Sequence, residues 1–295
     1  MKPHLLKLEL LTNLHVGDEG GMGLVENSVQ RDSVLKDMPI IPGSGVKGAL
    51  REYFEDRLTD GQKKREIFGY PVKKDEKGEV QEPSGDGKYK FFDAFCLARP
   101  LRVSEGHTPY VLATSTAIVV HTLKLLHGIG FGPLCQMDAQ SFATLIGNID
   151  SLSNSLDDAA PFLVRTDSPQ KIATIEGYAV RPTMGDGPVQ RCVSQLLDAL
   201  IGKTAWAIAK NLNDYDLPVR ARNCLDDDKR NLWYEEYVPH KSVFLAPLLT
   251  PDNDADKPLP FGEPVQFGAN GSVGMGYASV SFVDLSPNGA LGGQG

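Results

Sequence analysis

Two glycine-rich segments near opposite ends of the chain constrain it most: IPGSGVKGALR at residues 41–51 and FGANGSVGMGY at residues 267–277. Glycine has no Cβ, so such runs let the backbone turn sharply and press against a neighbour or a ligand. After Gly43, the residues Val46, Leu50, Tyr53, Phe54 and Leu58 recur at helical spacing. This pattern predicts a helix capped by Ser44 and running to about Arg57, whose first N–H groups attract anions. Lys47 and Arg51, four apart on one helix face, can extend that site along a phosphate backbone. A capped surface helix with two solvated cations explains the same residues equally well. The segment is not a Walker A loop, because Gly48 stands after Lys47 where Ser or Thr is needed. The second segment leads into a strand at 277–283 and lacks the third glycine and the following helix of a dinucleotide site. Either run alone is weak; two in one chain, the first of them basic, are more specific.

Between them, strand and helix patterns interleave. In LLKLELLTNLHV, Lys7 and Glu9 alternate with Leu6, Leu8 and Leu10, a strand pattern over residues 5–16. Residues 71–90 are rich in Lys, Asp, Glu, Gly and Pro and read as a mobile surface loop. Strand-like composition returns at 90–103 and 110–126, and a helix is expected at 139–149. A strand at 172–180, an amphipathic helix at 189–209 and short strands at 242–249 and 264–267 follow. The tail at 286–295, SPNGALGGQG, has too few apolar residues to pack and is expected to be disordered. The order suggests one domain over 1–285 of the α+β class, ferredoxin-like or RNA-recognition-motif-like, with long insertions.

The chain has 295 residues, of which 41% are hydrophobic and 23% charged, ordinary values for a soluble globular protein. No apolar run reaches membrane-spanning length, and the first seventeen residues read as a strand rather than a signal peptide. The formal net charge is −8 and the pI about 5.3. Nucleic-acid binding therefore requires a clustered basic site, with acidic surface elsewhere limiting non-specific contact. Cys96, Cys135, Cys192 and Cys224 lie far apart, without a Cys-x-x-Cys pair. They read as reduced, mostly buried thiols and not as zinc ligands or a disulfide scaffold.

The two glycine segments together resemble the RAMP superfamily of CRISPR proteins. Further matches, LHVG at 14–17, VENSVQRD at 25–32, FDA at 92–94 and LWYEEYVP at 232–239, resemble the backbone subunit of type III-B (Cmr) effector complexes. The resemblance runs over residues 5–283. It implies a ferredoxin-like core with a thumb-like hairpin within 161–239, and copies stacked in a helical filament along guide RNA with other type III effector subunits. It further implies a cytoplasmic ribonucleoprotein in which each thumb displaces a base of the guide–target duplex. Each subunit then cuts target RNA beside the displaced nucleotide, with Mg or Mn as divalent metal.

By the same resemblance, the catalytic residues are Glu26, His15, Glu235 and Tyr237. The contacts to guide RNA are Gln30, Arg31, Ser44, Lys47, Arg51, Gly271, Ser272 and Val273. Glu26 departs from the family, which has aspartate there; Asp18 and Asp32 lie near enough in sequence to substitute. Without the resemblance, His15 reads as a structural hydrogen bonder and Glu235–Glu236 as a solvated loop. RNA strand cleavage by its own 2′-OH needs that hydroxyl held in line, its proton removed and phosphate charge stabilised. The alternatives are a guide-binding subunit without catalysis, a type III-A backbone subunit and a guide-processing endonuclease.

Overall fold

The computed structural model describes residues 1–17, 25–75, 79–131, 139–148, 156–165, 172–182, 187–202, 205–212, 216–226, 229–253 and 259–285. Helices and strands form a mixed α/β architecture on one twelve-stranded sheet, open in its first half and closed into a ring in its second. Strand β1 (Lys2–Leu10) lies between β14 (Val243–Thr250) and β16 (Tyr277–Val283), antiparallel to both. β14 pairs antiparallel with the thirteen-residue β6 (Ala94–Gly106). The margins of this open half are β2 (Ile40–Ile41) on β6, β5 (Lys90–Phe91) on β14 and β15 (Val265–Gln266) on β16.

The alternation in β1 does what its period demands: Leu6, Leu8 and Leu10 enter one core, and Leu5 enters the other from the opposite face. Helix α1 (Gly43–Tyr53) covers the first of these cores, burying Val46, Leu50 and Tyr53 beside Phe54. Helix α2 (Gly61–Phe68) joins it through Ile67 and Phe68, with Asp60 accepting from the Gln62 and Lys63 amides as its N-cap.

β6 then leaves the open half. Past Ala98 it pairs with β7 (Tyr110–Ser115), and the sheet continues through β11 (Trp206–Ala209), β8 (Phe162–Arg165), β10 (Tyr178–Pro182) and β9 (Ile172–Ile175). β9 pairs back onto β6 between Val103 and Gly106, which closes a ring of six strands. Helices α3 (Thr116–Gly128), α4 (Ala139–Asn148) and α5 (Pro188–Leu200) bury their apolar stripes in the same core as Trp206 and Phe162. At the crossing point sits Arg99, a buried guanidinium that donates to the Leu212 carbonyl at 2.9 Å; burial lowers its pKa. Two ribbons stand off the main sheet: β3 (Lys73–Lys74) with β4 (Val80–Glu82), and the longer β12 (Val219–Asp226) with β13 (Lys229–Glu236).

Several elements differ from the sequence reading. β1 ends at Leu10, not Val16, because the amides of Leu11 and Thr12 turn to the Tyr277 carbonyl. Ser44 does not cap α1: Pro42 holds that position and Ser44 lies inside the helix, which ends at Tyr53. The Gly43 amide is instead satisfied across the chain by Asp93 Oδ1 at 2.7 Å. The strand-like stretch at 110–126 is a strand followed by a helix, switched by Ser115, whose hydroxyl accepts from the Ile118 amide. The helix at 189–209 stops at Leu200 and gives way to β11. The strand at 172–180 is a hairpin turning at Glu176 and Gly177, both at positive φ. Within 71–90 the β3–β4 hairpin is tied to α2 by a two-point ion pair of Arg65 with Glu82, at 2.6 and 3.1 Å. Cys96 is buried, and burial pushes its thiol up to about 12. Cys192 is disulfide-bonded, against the expectation of free thiols throughout. The tail at 286–295 lies outside the described residues.

Candidate nucleic-acid interface and cleavage site

The strand–turn register brings three distant segments together beyond the end of β1. Leu14 exchanges two hydrogen bonds with Val238, the Gln30 amide donates to the Val16 carbonyl, and the Glu236 amide donates to the Asn27 carbonyl. Residues 14–17 thus thread between the end of β13 and the segment around Asn27–Gln30. From the other side the second glycine segment closes in, the Ala269 amide donating to the His15 carbonyl at 2.9 Å. Gly268 has a φ of 70°, and a Cβ there would collide with that same carbonyl oxygen.

At the centre are His15 and Glu235, both buried, with 3.8 Å between His15 Nε2 and Glu235 Oε1. His15 Nδ1 lies 2.7 Å from the Glu236 carbonyl oxygen. A carbonyl only accepts, so Nδ1 carries a proton, and in the neutral form of the ring the lone pair lies at Nε2. A Cβ at Gly17 would stand 3.1 Å from that Nε2, so glycine there keeps the nitrogen's surroundings open. Glu235 accepts from Arg222 Nη1 at 2.9 Å and from Asn270 Nδ2 at 3.1 Å, the partners a buried carboxylate requires. Asn270 adopts the left-handed conformation, φ 64°, that places its amide there.

Adjacent residues on a strand face opposite ways, and Glu236 looks away from Glu235. Its carboxylate takes a two-point hydrogen bond from Arg31, at 2.5 and 2.8 Å, and a third from the Val29 amide at 2.9 Å. Glu26 is exposed on the same segment, one carboxylate oxygen accepting from the Tyr234 amide at 2.8 Å. Both glutamates of the 235–236 pair are therefore buried at a strand end, not part of a solvated loop.

Tyr237 turns elsewhere: its amide bonds the Pro218 carbonyl and the Arg220 guanidinium lies 5.4 Å from its ring centre. Gln30 is held by its backbone between Val16 and Ile40. Gly271, Ser272 and Val273 form a short 3₁₀ turn with Val273 exposed. Ser44 and Lys47 line a surface depression shared with Asp86, Gly87, Tyr89 and Lys90, and Arg51 is exposed farther along α1. α1 packs against β15, so both glycine segments lie over the same core. Asp32 accepts from the Val34 and Leu35 amides, which together with nearby His121 and Lys36 outweigh partial burial and hold its carboxyl below the usual range. It serves a local turn, not the His15 centre. Asp18 lies outside the described residues. Sequence reasoning missed Arg222, Asn270 and Glu236 as participants. The Asn-Gly pair at 270–271 signals a turn, but nothing local signals that its amide reaches Glu235.

The RAMP superfamily model matches residues 7–279. The CRISPR system Cmr endoribonuclease Cmr4 of Pyrococcus furiosus is 24% identical over 316 residues, covering 98% of both chains. The CRISPR system CMR subunit Cmr4 of Saccharolobus solfataricus is also 24% identical, over 84% of both. Among solved structures, a chain of a type III-B Cmr-beta complex bound to cognate target RNA superposes with a TM-score of 0.69 at 19% identity, covering 96% of this chain and 97% of that one. Oligomeric Cmr4 from Pyrococcus furiosus gives 0.63 at 20% identity, covering 96% and 98%. With a family match across more than nine-tenths of its length, the chain belongs to the RAMP superfamily.

Proposed function

We propose that this chain is a filament-forming backbone subunit of a cytoplasmic type III-B CRISPR ribonucleoprotein, and that it binds guide RNA and cuts the paired target RNA once per subunit. The observation that carries the reading is the buried His15–Glu235 pair, with Nε2 kept open by Gly17 and flanked by Glu26 and the second glycine segment. The full-length likeness to proteins named Cmr4, one of them an endoribonuclease, supports it. The strand order β16–β1–β14–β6, antiparallel throughout with α1 linking β1 to β6, supports a ferredoxin-like core. The β12–β13 ribbon lies within 161–239, is separate from the main sheet and exposes Leu232 and Tyr234 on one face; we assign it as the thumb. Guide phosphates meet Ser44, Lys47 and Arg51 on α1 and the backbone of Gly271, Ser272 and Val273, with Gln30 beside them. The neighbours are further copies of this chain and other effector subunits.

In the cut, Nε2 of His15 accepts the proton of the target 2′-OH. The 2′-oxygen attacks phosphorus as the P–O5′ bond breaks and the departing 5′-oxygen takes a proton from solvent, leaving a 2′,3′-cyclic phosphate and a 5′-hydroxyl. Glu235, held by Arg222 and Asn270, stabilises the imidazolium that results. Among the described residues no three His, Cys, Asp or Glu are placed to hold a metal ion together. A Mg or Mn ion fits here only with most ligands from RNA phosphate and water and Glu26 as the protein carboxylate. Such an ion would neutralise charge on the phosphate. Tyr237, stacked by Arg220, sits at the ribbon's base and contributes by orienting it.

The test is an assembled complex incubated with labelled complementary RNA and Mg or Mn. Regularly spaced products are expected, lost in Glu26→Ala with target binding retained. An intact, target-bound complex that yields no ladder would leave only a guide-binding subunit without catalysis.

A further inference from the structure

The resemblance assigns Arg31 to guide RNA, but its guanidinium is already engaged. Nη1 and Nη2 form a fork on both carboxylate oxygens of Glu236, and Nη1 also donates to the Val29 carbonyl at 3.0 Å. A two-point Arg–carboxylate pair is among the strongest side-chain contacts and fixes orientation as well as distance. With the Arg31 side chain only 28% exposed and that of Glu236 12%, removing either partner strands a charge the surroundings do not solvate.

Glu236 is joined to both halves of the proposed cleavage site. Through its side chain it holds the Val29 amide and Arg31, which fixes the segment that presents Glu26. Its carbonyl accepts a hydrogen bond from His15 Nδ1–H, which sets the tautomer and ring plane. Its amide bonds the Asn27 carbonyl one residue from Glu26. We propose that Arg31 and Glu236 form a positioning clamp that aligns Glu26 and His15 for target cleavage, and that Arg31 does not contact RNA phosphate. The proposal rests on the cleavage reading above.

The test uses the full guide-loaded assembly with Arg31→Lys, Arg31→Ala and Glu236→Gln. Lysine keeps the charge but cannot make the fork. All three variants should lower the single-turnover cleavage rate at saturating target at least tenfold, with target Kd within twofold of wild type. The Arg31→Ala/Glu236→Gln double variant should lose little beyond either single change, as expected of two groups acting as one unit. Guide binding should keep its salt dependence in Arg31→Ala. A slope reduced by about 0.7 per subunit marks a lost phosphate contact and overturns the proposal, as does wild-type cleavage in Arg31→Lys together with Arg31→Ala. Hydrogen exchange of the peptide at 25–31 gives a readout that needs no cleavage: faster exchange is expected in every variant. If the wild-type assembly binds target and never cuts, the cleavage reading fails, and unchanged exchange in the variants would separately remove the clamp.

Discussion

The two glycine-rich segments have similar composition and different physics. In the second, the backbone itself demands glycine: Gly268, Gly274 and Gly276 have φ near +70 to +81°, and a Cβ at Gly276 would collide with the Phe267 carbonyl oxygen. Gln266 ties this turn shut, its side-chain amide donating to the carbonyls of Phe267 and Gly268 at 3.0 Å and of Met275 at 3.3 Å. In the first segment only Gly43 is required by packing, since a Cβ there would stand 2.7 Å from the Phe91 carbonyl oxygen. Gly45 would make an ordinary contact with Ile41, and a Cβ at Gly48 meets nothing within 4 Å. The second segment is a rigid loop built to reach Glu235 and His15; the first is a helix whose glycines leave its outer surface bare.

Alanine substitutions break this contrast in order of size. Gly276→Ala combines a strained φ with a backbone collision and should destabilise by about 3 kcal/mol or more, read as a lowered midpoint in chemical denaturation. Gly43→Ala, strained by contact alone, should cost about 1–2 kcal/mol on the same measurement, because α1 can shift slightly from Phe91. Gly48→Ala should do the reverse and raise stability by about 0.5–1 kcal/mol, the helix-interior gain of alanine over glycine. If the bare face is kept for RNA, the same change should weaken guide binding at least tenfold, measured by retention of labelled guide. An unchanged affinity would show that Gly48 is not a contact.

Much of the open half was legible from local pattern. β1 alternates leucine with charge, α1 carries its apolar stripe at helical spacing, and β16 follows a glycine turn, so each element's period was visible in a short window. The ring half was harder to read because most of its strands are four to six residues long, and β8 and β11 are buried along nearly their whole length. At 110–126 and 189–209 an apolar strand adjoins an apolar-striped helix, and composition does not mark where Ser115 starts a helix or where Leu200 ends one. The cleavage centre shows the same division. His15 and Glu235 were reached through resemblance to a family, and Arg31 was assigned to RNA by the same route, with no local signal of its pairing to Glu236.

The sequence by itself determined which stretches turn, which alternate and where basic residues cluster, because those properties depend on neighbours a few residues apart. Tertiary structure alone decided that Glu235 and Glu236 are buried, that one faces Arg222, Asn270 and His15, and that the other faces Arg31. The His15–Glu235 and Arg31–Glu236 contacts join residues more than two hundred positions apart, and Asn270 and Arg222 reach Glu235 across 35 and 13 positions. Their energies depend on burial that only the packed chain creates.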